Sequence, residues 1–290
     1  MVNESGTVMA EEEKWSLIIT PKRKLLDLQI RELIRYRDLI FLFVKRDFIT
    51  KFKQTILGPL WFVIQPIVST IMFTFVFGNL AGIGTDEIPH TLFFFSGTML
   101  WTFFTSNFSS SSTIFITSAG IFGKVYFPRL AVPISNVFTN LIKVSIQFAL
   151  FVGIFVFYIV RGAPVHPSWT LLLFPLLFMW LAAIGVGMGI IISALTTKYR
   201  DLQHLVSFML HLAMYATPVV FPLSEIPQRF MWIAFLNPVS APIELFRLWF
   251  FGAASVNGYM ILSSMGITVL LVFVGLIMFN RNEQTFIDVV

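Results

Sequence analysis

Residues able to do chemistry are few in this chain, and their spacing excludes more than it offers. The nearest approach to a phosphate-binding loop is Ser118-Ala-Gly-Ile-Phe-Gly123-Lys124-Val125. A working loop needs Gly where Ser118 stands and a magnesium-holding Ser or Thr where Val125 stands, so this segment does not cradle ATP. His90, His166, His204 and His211 form neither an HxxxH nor an HExxH pair, which removes the usual helical zinc grip. With 0 Cys there is no thiol nucleophile, disulfide or cysteine-based metal site. Asp86, Glu87, Glu225 and Glu244 are too dispersed to assemble the paired carboxylates of glycosyl chemistry. Neither a catalytic residue nor a bound cofactor or metal is therefore expected on this chain.

What remains is chemistry of passage. Lys143 has Asn140 three residues before it and Gln147 four after, so the three share a helix face; proton relays would also need carboxylates inside the spans, and those are missing. Pairing of helices around Lys143 is the plainer reading. Phe94, Trp101, Phe108 and Phe115 recur at a strict seven-residue interval and form one stripe. Sugar rings stack their C–H faces on aromatic rings, so this stripe could wall a path for a glycan, or it could simply face lipid. His204, Ser207, His211, Tyr215 and Pro218 make a second, more polar stripe, and Trp61 with Gln65 sits one turn apart before Pro66. Trp61, Gln65, Phe94, Trp101, Phe108, His211 and Tyr215 are thus the candidate channel-lining residues.

These residues must be held by membrane-spanning helices. The 290 residues are 57% hydrophobic, include 34 Phe and are only 12% charged. Soluble domains carry about 25% charge, so the surplus apolar surface faces lipid and the chain is an all-α integral membrane protein. Six runs approach the ~20 residues that cross the hydrocarbon core, at roughly 57–80, 91–116, 133–160, 169–195, 205–221 and 259–279. The alternation of a barrel is missing. Sixteen of the 20 basic residues then fall on inner segments and three, Arg161, Arg229 and Arg247, on outer ones. By the positive-inside rule the spans sit in the cytoplasmic membrane with both termini cytoplasmic. Basic and acidic residues are mixed before residue 57, which excludes a nucleic-acid tract, and no cleavable signal peptide is expected.

Residues 1–24 read as a flexible cytoplasmic start, and 25–56 as an amphipathic interfacial helix broken near Tyr36-Arg37-Asp38. Residues 57–290 form the transmembrane domain. Between its fifth and last runs, 222–251 contains Asn237-Pro238 and Pro242, which break a helix. It reads as a re-entrant helical hairpin dipping from the outer face, a gate region carrying Glu225, Asn237, Pro238, Glu244 and Arg247.

Arg46-Asp47, Lys51, Leu57-Gly58-Pro59-Leu60-Trp61, Gln65-Pro66, Gly123-Lys124-Val125-Tyr126-Phe127-Pro128-Arg129, Pro133, Lys198-Tyr199-Arg200-Asp201-Leu202, Ala216-Thr217-Pro218-Val219 and Asn237-Pro238 occur in that order, with Arg247 behind them. In this order the chain resembles the transmembrane subunits of bacterial polysaccharide and polyol-phosphate ABC exporters, which serve O-antigen, capsule or teichoic acid. The resemblance implies a homodimeric permease, two copies of a separate ATPase subunit holding ATP and magnesium, and a lipid-linked glycan, O-antigen first, as the substrate. It also implies a coupling helix at 121–131, with Gly123, Lys124, Val125, Tyr126, Phe127, Pro128 and Arg129 meeting the ATPase. Rival readings are an ABC exporter of a drug or small lipid, an embedded glycan transferase or polymerase, and an ATP-independent channel or carrier.

Overall fold

The computed structural model describes residues 30–53, 55–117, 120, 127–196, 201–254 and 256–287. The described residues contain helices and turns and no strand. Two helices open them, α1 (Ile30–Arg35) and α2 (Arg37–Phe52), separated by a backbone break at Tyr36. A 3₁₀ turn at Gly58–Leu60 leads into α3 (Trp61–Phe73), which continues as the π-helical stretch Thr74–Leu80. Next come α4 (His90–Ser112), the short α5 (Ile114–Thr117), α6 (Ala131–Val160) and α7 (Phe174–Thr196), the last preceded by a 3₁₀ turn at Trp169–Leu173. The remainder is α8 (Leu202–Tyr215), α9 (Met231–Leu236), α10 (Ser240–Phe251) and α11 (Gly258–Ile287).

Among the described residues, four continuous helical runs are long and apolar enough to cross a membrane: Gly58–Leu80, Ala131–Val160, Trp169–Thr196 and Gly258–Arg281. Two expected spans depart from this standard. The second, α4, has 23 residues, but its latter half is rich in Ser and Thr. The fifth is helical only to Tyr215, 14 residues that rise about 21 Å, because Thr217 precedes Pro218 and the residue before a proline avoids helical backbone. The gate region forms two short helices, α9 and α10, around the break at Asn237-Pro238.

α4 stands in the middle of the bundle, packed against α3, α6, α7 and α10. Small residues set its distance from α7. A Cβ on Gly185 would lie 2.9 Å from the Phe104 carbonyl, and one on Gly189 would lie 2.6 Å from the Phe108 carbonyl. The two glycines are four residues apart, so one face of α7 lets the α4 backbone approach closely, as membrane helix pairs do. On the other side, rings join α6 to α10 and α7: Phe151 lies 5.3 Å from both Phe246 and Phe250 of α10, and Phe148 stacks on Phe174 of α7 at 4.4 Å. Pairs of this kind add about 0.5–1.5 kcal/mol each beyond their burial.

At the basal end, a second cluster joins Phe43 of α2 to Phe115, Phe127, Ala131, Ile190 and Phe279. α2 is not amphipathic in the simple sense expected. Phe43 and Val44 are buried on the bundle, but Phe41, Leu42 and Ile49 are exposed, so apolar residues occupy both sides. One side docks on the bundle and the other stays uncovered. Phe52 then hands over to α3 through an edge-to-face contact with Phe62 at 5.0 Å.

Candidate functional site

At the apical end, the site is organised by a buried ion pair. Arg247 and Glu244 are three residues apart on α10, each 1% exposed, with Nη1 donating to Oε1 at 2.8 Å. The same Nη1 donates to the Pro218 carbonyl at 2.6 Å, and Nη2 to the Val219 carbonyl at 3.2 Å. Those carbonyls lie in the turn that follows α8, and as buried backbone acceptors they take a donor from outside the helix. The guanidinium fork therefore fastens the end of α8 to α10, a geometry that a lysine point charge does not reproduce. The guanidinium carbon also lies 3.6 Å from the centre of the Phe93 ring on α4. Gly97, one turn further along α4, completes the fit: a Cβ there would meet the Val219 carbonyl at 2.8 Å and Nη2 at 3.0 Å.

Asn237 reinforces the same turn from α9. Its amide donates to Thr217 Oγ1 at 2.7 Å while its carbonyl oxygen accepts from the Val239 N–H at 3.0 Å. The Pro238 carbonyl accepts from Ser264 Oγ of α11 at 2.5 Å. The far end of α10 stops at Gly252, whose left-handed φ of 74° any side chain would strain, and the backbone there pairs with His166. Glu244, Arg247, Asn237 and Pro238 are thus brought together with Thr217–Val219.

Glu225 is exposed and stands apart from this cluster. Its carboxylate packs on Gly84, where a Cβ would lie 2.9 Å from Oε1, and the neighbouring Ser224 hydroxyl donates to Asp86 at 2.7 Å. Between this loop and α8 opens a cavity of about 420 Å³, lined by Tyr215, Phe221, Glu225 and Phe230 with Ile83 and Ile233.

The channel candidates separate by face. Trp61 and Gln65 on α3, and His211 and Tyr215 on α8, are exposed. Phe94, Trp101 and Phe108 are 0%, 6% and 3% exposed and pack inside the chain's own bundle, as does Phe115. The seven-residue repeat is a packing seam here, and the face of α4 left open carries Thr102 and Ser109 instead. α8 has no fully buried residue; Leu210, Ala213 and Met214 pack partly against the core.

Of the coupling segment, Gly123, Lys124, Val125 and Tyr126 lie outside the described residues, as do 1–29 of the start and Lys198 to Arg200. Phe127, Pro128 and Arg129 form a turn rather than a helix before α6. Phe127 is 5% exposed and points back into its own chain, edge-on to Phe43 at 5.7 Å. In mid-bundle, Lys143 Nζ donates to Asn140 at 2.7 Å, and Asn140 reaches Asn107 of α4 at 3.2 Å. This network joins α6 to α4. Among the described residues no three His, Asp or Glu side chains cluster as metal ligands.

Sequence reasoning missed Phe93, Gly97, Thr217 as a hydrogen-bond partner, Phe43, and the Gly185/Gly189 pair. Only the last carries a local signal, its small-residue spacing of four.

The ABC-2 type transporter family model matches residues 38–251. Relatives include the O-antigen export system permease protein RfbA of Klebsiella pneumoniae, 31% identical over 87% of this chain and 95% of the relative. The O-antigen export system permease protein RfbA of Myxococcus xanthus is 26% identical over 89% of this chain and 98% of its own. The polysialic acid transport protein KpsM of Escherichia coli is 21% identical over 82% of this chain and 91% of its own.

Proposed function

We propose, for a chain that belongs to the ABC-2 type transporter family, that it is the membrane permease of an exporter moving a lipid-linked polysaccharide, O-antigen first, across the bacterial inner membrane. Its main support is the alignment with O-antigen export permeases over nearly their whole lengths. Two copies of the chain form the path between them. The energy comes from ATP and magnesium held on two copies of a separate ATPase subunit, so this chain is a transport subunit and not an enzyme.

The basal end is cytoplasmic in this reading, with both termini on that side. The segment Gly123–Arg129 receives the ATPase stroke, and Phe127 passes it to α2 through Phe43. The exposed faces of α3, with Trp61 and Gln65, and of α8, with His211 and Tyr215, meet their copies across the path. α8 having no fully buried residue within one chain favours this arrangement, since a helix gains most of its stability from a packed face. α9 and α10 form the outer gate, re-entrant from that face, and Arg247 keeps its inner edge tied to the end of α8.

The test is co-expression with a candidate ABC ATPase subunit, followed by purification in detergent. The two should elute as one complex, and Tyr126→Ala with Arg129→Glu should release the ATPase or leave its rate independent of the permease. A permease that elutes alone and alters no ATPase rate overturns the assignment.

A further inference from the structure

The apical cavity between α8 and the 223–230 turns is a concave site with a specific chemistry. At about 420 Å³ it falls in the size range of small-molecule sites, about 300–1,000 Å³. Tyr215, Phe221 and Phe230 give it aromatic walls, and Glu225 gives it a carboxylate. Tyr215 is 54% and Phe230 44% exposed, so their rings are presented to whatever occupies the path. A carboxylate has acceptors only and wants donors, while aromatic faces want C–H groups. A lipid chain would satisfy the rings and make no use of the carboxylate. A sugar ring offers both, hydroxyl donors at its edge and C–H groups on its face.

Charge narrows the class further. Glu225 adjoins Ser224, which holds Asp86, and Glu87 follows in the same loop. Against Glu225 and Asp86 stands one cation, Arg229, whose guanidinium carbon lies 4.7 Å over the Phe230 ring. A glycan bearing carboxylates would meet like charge at this rim, and an uncharged one would not.

We infer that this cavity is a sugar-binding subsite for an uncharged unit of the exported chain, with Tyr215 and Phe230 stacking the ring and Glu225 accepting its hydroxyls. This rests on the transport reading above and adds to it a substrate class, neutral rather than polyanionic.

The experiment uses the full chain in nanodiscs and saturation-transfer NMR with two probes, maltoheptaose and a sialic acid heptamer. Maltoheptaose should bind at least fivefold more tightly than the acidic probe. Tyr215→Ala and Glu225→Gln should each weaken maltoheptaose at least fivefold, Glu225→Gln should narrow the gap between the probes, and Phe41→Ala, on the exposed side of the basal helix α2, should change nothing. Should Tyr215→Ala fail to fold, Phe230→Ala in its exposed turn takes its place. No binding, equal binding of both probes, or binding untouched by the variants overturns the subsite. The transport reading fails separately, if deleting the chain leaves glycan at the cell surface unchanged. Restored surface glycan together with unaltered maltoheptaose binding by the variants overturns the subsite alone.

Discussion

Arg247 does more than neutralise Glu244. Its guanidinium supplies donors to two carbonyls in the turn that follows α8, and it rests on the face of Phe93. Removing one member of a buried pair leaves the other charged and unsolvated, which costs about 3–5 kcal/mol. Arg247→Ala should therefore lower the thermal unfolding midpoint in detergent markedly. The double change Glu244→Leu with Arg247→Met should recover part of that loss, because it removes both charges and keeps the volume. A single variant as stable as the native chain would show that the pair does not hold this turn. Glu244 and Arg247 could be picked out in the sequence as charges inside an apolar run. Their partners could not, since Pro218, Val219 and Phe93 lie 25 or more residues away from Arg247 and reach it only through the fold.

Among elements, the informative contacts are those that set distance and those that carry motion. α7 approaches α4 through Gly185 and Gly189. Gly189→Val would put a branched side chain against the Phe108 carbonyl and the Ser111 side chain, and should sharply reduce the monodisperse fraction on size exclusion. Gly153→Ala is the matched control. Nothing lies within 4 Å of a Cβ there, and alanine in a helix interior is favoured by about 0.5–1 kcal/mol, so it should be neutral or stabilising. α2 docks through Phe43, whose ring meets Phe127 and is covered by Arg46 at 4.9 Å. Phe43→Ala should cost about 3–5 kcal/mol of docking. Hydrogen exchange over residues 37–52 should then rise at least tenfold with α6 and α7 unchanged. Exchange that stays slow would mean that α2 is held elsewhere.

At the scale of the whole molecule, the chain leaves apolar and polar faces on α3 and α8 uncovered. Phe208 on α8 is 58% exposed, and so is Phe157 on α6, at 49%. If two copies meet along α3 and α8, Phe208→Cys should form a disulfide-linked dimer under mild oxidation in membranes, and Phe157→Cys should not. The experiment has no background, since the chain contains no cysteine of its own. Cross-linking at Phe157 alone would move the interface to the α6 side.

What the sequence determined by itself follows from local rules. Apolar length and the placement of basic residues made this a helical membrane protein, Asn237-Pro238 divided the gate region, and the ordered motifs pointed to the exporter family to which the chain belongs. The helix break near Tyr36 was legible for the same reason, because a local cluster of polar residues interrupts an apolar pattern. Which way each face looks was not local. A seven-residue interval aligns Phe94, Trp101 and Phe108 on one side of α4, but only the close approach of α7, α6 and α10 turned that side into the core and left Thr102 and Ser109 outside. In a membrane both lipid and core are apolar, so hydropathy cannot tell the two faces apart, and packing decides between them.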